Sequence, residues 1–465
     1  MSDRDLRGAE RAFRAAPTAA SGLAWAQALE RAGRGHEAVT DLVPFARDPA
    51  VCAWLERRAW ALPEGDPGGS RWVDLEPLDR EPRLRWAVET GRDQALTLLA
   101  HPLGVVVGGA RSVTAGLSRR AAGSATGHGA LVLDPDTGAL RFATPEHAGT
   151  EVLGVRGGAL VTTWGDVALG PHLEAWDLAS GERVAAVRLE PGESPRVLAP
   201  AGLVVTRALA SDAGSLDFAL RPWPTSAATP GPARALELRV GVVAGDRRLV
   251  QARVAGGRLW VVAQAPDTDG PWQVACADLT AAGATARGTP ITSPPYSGRL
   301  RADAEGAWVE QARAFAVEAE VGPRLRPMST AWGAQSFQGD TVLAPESIVA
   351  RAIDPQGGVW GIDRATRRRR VLFVHEGSVP LAGARGWCFV GTHRGEVGGV
   401  DRRDGRAWVH DLVADLRARG ASPAEASRGA GQVVVAALAP AWGRRLHGLT
   451  RRGLAFCLEP DPAGG

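Results

Sequence analysis

The sequence predicts a mainly β fold: a propeller of seven or eight blades, eight preferred, preceded by a small α-helical segment. Three observations lead there. From about Arg71 onward, short apolar runs rich in Val, Leu and Trp are separated by Gly, Pro, Asp and Ser, the texture of strands and turns. Within that stretch a strand–Asp–turn–Gly–strand unit recurs at spacings near 40 residues or twice that. Before it, residues 3 to about 62 show helical spacing instead. The expected division is a helical segment over residues 1–65 and a propeller over residues 66–465.

In the helical segment, Leu6, Ala9, Phe13 and Ala16 fall at steps of three and four, and Pro17 ends the run. A second run covers Ser21 to Ala32 and is broken by Gly33, Arg34 and Gly35. A third runs from His36 toward Asp48-Pro49, and a fourth, Val51 to Trp60, places Trp54, Leu55 and Ala59 on one side. The order Ala28-Leu29-Glu30-Arg31-Ala32-Gly33-Arg34-Gly35-His36-Glu37-Ala38-Val39, with Pro49 beyond it, resembles a TPR-type helical hairpin. Pro44 departs from that pattern, because its ring kinks or shortens a helix. One such hairpin cannot bury its own apolar face, so a packing neighbour is expected.

The repeat unit is clearest in Leu131-Val132-Leu133-Asp134-Pro135-Asp136-Thr137-Gly138 and in Ala175-Trp176-Asp177-Leu178-Ala179-Ser180-Gly181. Further copies centre on Asp363, with Arg367 where Gly is expected, and on Asp401 with Gly405. Asp278 with Gly283 is a looser one, and a hairpin turning at Arg451-Arg452-Gly453 lies about one period on. The strand ends in an Asp whose carboxylate caps turn N–H groups, a Ser, Thr or Asp assists, and Gly takes the positive-φ position. This unit resembles the outer hairpin of PQQ-type and WD-like propeller blades. Between the copies stand Gly turns followed by apolar strands, at Gly157-Gly158, Gly256-Gly257, Gly306, Gly357-Gly358 and Gly386. They read as inner hairpins, with the 16 Trp acting mostly as wedges between blades. Residues 211–235, with four Pro, read as a long loop, and residues 411–429 as a helical insertion with Leu412, Val413 and Leu416 at helical spacing.

Composition narrows the function. The net charge is +3 over 465 residues, too mild for a dedicated nucleic-acid binder, so nucleic acid is not an expected partner. The basic residues are all Arg, and from Gly361 onward 17 Arg stand against 10 Asp plus Glu. The densest run, Arg367, Arg368, Arg369 and Arg370, is a candidate partner-binding feature, as are Leu412 and Leu416 of the insertion. In a strand the Arg run would alternate between faces. No run reaches the ~18 apolar residues of a membrane span. The Met1-Ser2-Asp3-Arg4 start carries no secretory pattern, and a cytoplasmic location is expected.

Catalytic signatures are missing. Cys52, Cys276, Cys388 and Cys457 form no CxxC pair, and the nine His show no HxH or HExxH spacing. Neither a Gly-x-Ser-x-Gly elbow nor a Walker A loop occurs, and Gly104 to Gly109 reads as strand and turn. Quinoprotein dehydrogenases of the PQQ type need carboxylate and amide calcium ligands and a general-base Asp. This chain contains no Asn, so the resemblance carries over to the fold and no cofactor is expected. Helices ahead of a propeller resemble components of bacterial multi-protein systems built around an AAA-type ATPase and a von Willebrand A-type partner. The expected function is therefore a non-enzymatic protein-interaction scaffold. The alternative is an enzyme or small-ligand sensor with its site at the central channel.

Overall fold

The computed structural model describes residues 3–66, 69–111, 126–199, 202–207, 216–221, 234–238, 248–264, 272–279, 289–291, 299–303, 306–310, 315–318, 324–327, 337–352, 358–366, 368–375, 377–419 and 433–461. Its strands assemble into eight sheets, seven of four strands and one of five.

The chain begins with helix α1, Asp3–Ala15, and helix α2, Ala19–Arg31. Thr18 caps α2 by accepting from the Ser21 amide at 3.1 Å, while the Ser21 hydroxyl accepts from the Thr18 amide at 3.0 Å. The run after Gly33 does not form one helix. It splits into a 3₁₀ turn Gly35–Ala38, a single turn α3 at Val39–Leu42, and a second 3₁₀ turn Val43–Phe45. Pro44 sits in the first positions of that last turn, where it supplies no amide donor to prolong α3. Helix α4, Pro49–Glu56, opens with Asp48 accepting from the Ala50 and Val51 amides.

Seven blades take their four strands in sequence order. Blade 1 is Gln94–His101, Gly104–Arg111, Thr126–Leu133 and Leu140–Ala143. Blade 2 follows from Glu151–Arg156 to Arg183–Arg188, blade 3 from Glu193–Ala199 to Arg234–Leu238, and blade 4 from Arg248–Ala255 to Thr289–Ile291. Blade 5 runs from Arg299–Ala302 to Arg324–Pro327, blade 6 from Phe337–Leu343 to Arg369–Phe373, and blade 7 from Val379–Ala384 to Ala407–Asp411. Blade 8 is composite: Val435–Ala441, Arg445–Thr450 and Leu454–Pro460 receive their fourth, outermost strand from Pro82–Glu89, antiparallel to the third. The first strands of consecutive blades touch all the way round, and that of blade 8 touches that of blade 1, so the ring is closed. Closure by an early strand joins the two ends of the ring with backbone hydrogen bonds rather than side-chain packing alone.

The turn chemistry explains the outer hairpins. Asp134 Oδ1 accepts from the amides of Asp136 and Thr137 at 2.9 Å and from the Thr137 hydroxyl at 3.0 Å, and Gly138 takes φ 74°. Asp177 repeats the pattern with Ala179 and Ser180 at 2.8 Å, and Gly181 takes φ 76°. Asp363 holds Thr366, while Asp401 accepts from Arg403 and is followed by Gly405 at φ 77°. The inner hairpins turn at Gly157-Gly158 and Gly256-Gly257, all with positive φ. The turn at Arg451 to Gly453 joins the second and third strands of blade 8, not an outer hairpin.

The 211–235 stretch differs from its expected loop: Leu216–Arg221 is the third strand of blade 3 and Arg234–Leu238 its fourth. Alternation in Leu216-Asp217-Phe218-Ala219-Leu220, with Phe218 and Leu220 buried, outweighs the flanking prolines. One continuous apolar cluster joins Trp25, Leu29, Leu42 and Trp54 of the helical segment to Val105, Trp387 and Phe456 of the blades. The helices thus bury their apolar faces on the ring, as a lone hairpin must. Among the described residues, Trp54, Trp60, Trp86, Trp176, Trp260, Trp387, Trp408 and Trp442 are buried. No helix is long and apolar enough to cross a membrane among the described residues.

Candidate functional site

Two places gather groups that packing alone does not require: the mouth of the central channel, and the outer seam between blades 6 and 7.

At the mouth, the segment after α4 runs across the C-terminal ends of the first strands. Trp60 bridges Ala100 of blade 1, and the Val155 amide of blade 2 donates to Ala61 O at 2.7 Å. The Leu343 amide of blade 6 donates to Ser70 O at 2.8 Å, and Trp72–Val73 adds to blade 7 as a parallel fifth strand beside Gly383 and Ala384. Glu64 pins the middle of this strap. Its carboxylate contacts the guanidiniums of Arg71 on the strap, Arg253 on blade 4 and the fully buried Arg301 on blade 5. Arg253 also donates through Nε to Leu300 O at 3.0 Å, and Arg301 through Nε to the Thr341 hydroxyl at 2.9 Å. Glu64 and Arg71 hold left-handed φ of 65° and 59°, a conformation that costs a side-chain-bearing residue about 1 kcal/mol or more. The strain is offset by the charge cluster it makes possible.

Behind the strap a cavity of about 380 Å³ remains in the channel. Leu62, Asp66, His128, Glu151, Arg196 and Arg253 are among its lining. Burial depresses the pKa of the Arg196 and Arg253 guanidiniums, and nearby Glu151 and Glu64 respectively oppose that shift. Among the described residues no group of three or more His, Cys, Asp and Glu is placed to hold a metal ion.

The seam holds the Arg run. Arg367 lies outside the described residues. Arg368, Arg369 and Arg370 are all exposed, and the run alternates between faces as expected: in the outermost strand of blade 6, Arg369 stands opposite Ile362 and Arg370 opposite Gly361 on the other face. Arg369 lies over the Trp360 ring, 5.3 Å from its centroid, and Arg370 reaches across to donate to Arg403 O of blade 7 at 2.6 Å. The pairing register skips one residue: Phe373 opposes Val359 and Val371 opposes Trp360, so Leu372 is the bulged residue. The bulge turns Leu372 into the core and leaves Val371 46% exposed. Val374 follows at 63%. Phe373 stacks on His375 at 5.7 Å and packs against Gly398 of blade 7, whose cross-strand partner is Val409, 38% exposed. Of the six large apolar side chains exposed among the described residues, Val409 faces this seam through Gly398, whereas Val371, opposite Trp360, lies on the other face of the same outer strand, and Val374 follows that strand.

Leu412 and Leu416 do not join it. The insertion forms helix α5, Leu412–Ala418, capped by Asp411, but both leucines point into the core at 0% and 6% exposure. Helical spacing reported a buried stripe, not a docking face. The Ser422 to Glu425 stretch lies outside the described residues. Sequence reasoning missed the strap and Val371. The Glu64-x-Asp66 pair beside Pro63 and Gly65 gave a faint turn signal, and an exposed valine carries none.

Solved structures share this architecture. A europium-containing methanol dehydrogenase is similar over 77% of this chain and 87% of its own, with TM-score 0.50 and 13% identity. The computationally designed Ika8 protein is similar over 80% and 98%, with TM-score 0.49 and 14% identity. BamB from Moraxella catarrhalis is similar over 82% and 100%, with TM-score 0.43 and 11% identity. The fold is a β-propeller. At these identities the likeness extends to fold and to nothing finer. No protein-family model matches the sequence, and no curated protein is similar to it by sequence.

Proposed function

We propose that this propeller is a non-enzymatic protein-interaction scaffold whose partner docks along the seam of blades 6 and 7. The observation that carries the reading is the outer strand of blade 6 bordering this seam, where Arg368, Arg369, Arg370, Val371 and Val374 are all exposed, with exposed Val409 across on blade 7. Apolar side chains give a partner area to bury, and guanidiniums give it orientation and a faster encounter. The helical segment, whose residues 28–39 resemble a TPR-type hairpin, serves as a cap on the ring. Burial raises the pKa of the Cys52, Cys388 and Cys457 thiols to about 12, so they are poor nucleophiles and suit a scaffold rather than a thiol enzyme.

The test is affinity purification from the native host with the wild-type chain and with an Arg368→Glu/Arg370→Glu variant. A stoichiometric partner captured by the first and lost by the second supports the reading. A partner captured equally by both moves the docking site elsewhere, and no partner with either overturns the scaffold reading.

A second reading, a small-ligand site in the channel, is favoured by the 380 Å³ cavity with Arg196, Arg253, Asp66 and Glu151 in its wall. A small molecule carried stoichiometrically through native purification, and released by an Arg196→Gln variant, would support it.

A further inference from the structure

We propose that the seam recognises an extended, acidic segment of a partner protein by strand addition, the segment pairing with the outer edge of Arg369–Phe373 as a fifth strand of blade 6. The inference rests on the scaffold reading and names the chemistry of its partner.

Three features of the molecule point to this occupant. The first is the edge itself. Arg369–Phe373 is the last strand of its sheet, paired on one side with Gly358–Asp363, so the backbone groups on its other side face outward. An edge of this kind accepts an extended peptide through main-chain hydrogen bonds, and alternate side chains of the peptide then read the surface on either side. The second is charge. Arg368, Arg369 and Arg370 enter the edge consecutively, and Arg403 stands on the neighbouring turn of blade 7, where Arg406 is already paired with Asp401 and Asp404. A strand laid here meets guanidiniums first, which selects Asp and Glu in the incoming segment. The third is apolar surface on both faces of the edge. Val371 is exposed on the Trp360 face, Val374 is exposed just beyond the strand, and on the other face Phe373 leads to Gly398 and Val409. Charges on an edge strand also discourage self-association, because two copies of the same cationic edge repel. That repulsion removes a second copy of this chain as the occupant and leaves an oppositely charged one.

The chain itself already uses this geometry. Blade 8 is completed on its outer edge by Pro82–Glu89, a segment more than 360 residues away in sequence from the strand it pairs with. Addition of a distant strand to a blade's outer edge is therefore how this ring closes, supplying the fourth strand of blade 8, whereas on blade 6 an added segment is a fifth.

The experiment uses the full chain and three fluorescein-labelled synthetic ten-residue peptides. One alternates Glu with Val and Thr, one has the same composition with a central Pro, and one replaces each Glu by Lys. Fluorescence anisotropy reads affinity, and hydrogen exchange reads the backbone amides of residues 369–373. The expected result is binding of the Glu peptide, weakened about ten-fold or more by the Pro, by the Lys replacement, and by Val371→Asp or Arg368→Glu/Arg370→Glu in the protein, with slowed exchange at residues 369–373. Leu169→Asp, on the loop of blade 2, leaves binding unchanged. Equal binding of the Pro peptide, or unchanged exchange in the strand, overturns strand addition and leaves charge attraction alone. No binding of the Glu peptide overturns the inference. If the native partner is still lost with the Arg368→Glu/Arg370→Glu variant, the scaffold reading survives that outcome, so the two failures are distinguishable.

Discussion

Glu64 joins three arginines at the channel mouth. Its carboxylate meets Arg71, Arg253 and Arg301, so Glu64→Gln leaves three guanidiniums without that charge, two of them on the first strands of blades 4 and 5. Because Glu64 keeps partial solvent access, the expected loss is roughly 2–4 kcal/mol rather than the full cost of a buried pair, measured as a fall in the urea midpoint. Two histidines set the acid limit. His101 and His447 are fully buried and burial drives both down to about 3, with Arg445 and Arg85 adding to the effect at His447. The folded state keeps them neutral while the unfolded chain protonates them near the ordinary ≈6.5. Their contribution is therefore whole above that pH and is lost as pH falls from about 6.5 toward 3, by ~1.4 kcal/mol per pH unit for each imidazole. Thermal unfolding at pH 7.0 and 5.5 should show this drop, and His447→Leu should remove about half of the slope; an unchanged slope would show that His447 titrates normally. At this scale the sequence was readable where a residue type has one physical use. Asp134, Asp177, Asp363 and Asp401 each cap the turn their spacing implied. It was not readable at Glu64, because nothing local to a Glu between Pro63 and Gly65 says that two Arg, about 190 and 240 residues on, will surround it.

Elements behave as their burial dictates. Helix α5 keeps Leu412 and Leu416 in the core, so Leu412→Ala should cost about 2–5 kcal/mol in urea unfolding and leave partner capture by the folded protein unchanged. Loss of capture without loss of stability would restore the leucines as contact residues. Pro82–Glu89 closes the ring, with Trp86 buried and its indole N–H donating to Pro135 O at 3.1 Å. Trp86→Ala should cost about 3–5 kcal/mol and unfold blade 8 with the rest in one transition, since the strand joins the first and last blades. Several elements were legible because their period is local: the helical steps of α1, the inner Gly turns, and the outer hairpins. Others were hidden by competition. Prolines around residues 222–232 masked the alternation of Leu216–Arg221, and Pro44 divided a run that otherwise reads as one helix. The pairing of Pro82–Glu89 with Leu454–Pro460 is a contact across the whole chain, and no window along the sequence contains it.

Across the described residues, a ring of eight sheets is closed at its ends by a borrowed strand, strapped across its channel by residues 60–66 and 69–73 and joined by helices that share its core. Composition and repeat period were enough to expect the ring, because each blade repeats the same turn chemistry. They could not locate a surface, since exposure of Val371 depends on a bulge and on which strand lies outermost. The central claim is that this surface, the seam of blades 6 and 7, is where a protein partner sits. The most direct measurement is site-specific photocrosslinking in the native host, with a benzophenone amino acid placed at position 371 in one strain and at position 169 in another. The account predicts one discrete crosslinked protein from position 371, absent from position 169 and abolished by Arg368→Glu/Arg370→Glu. No crosslink from position 371, or the same protein captured from position 169 alone, would contradict it.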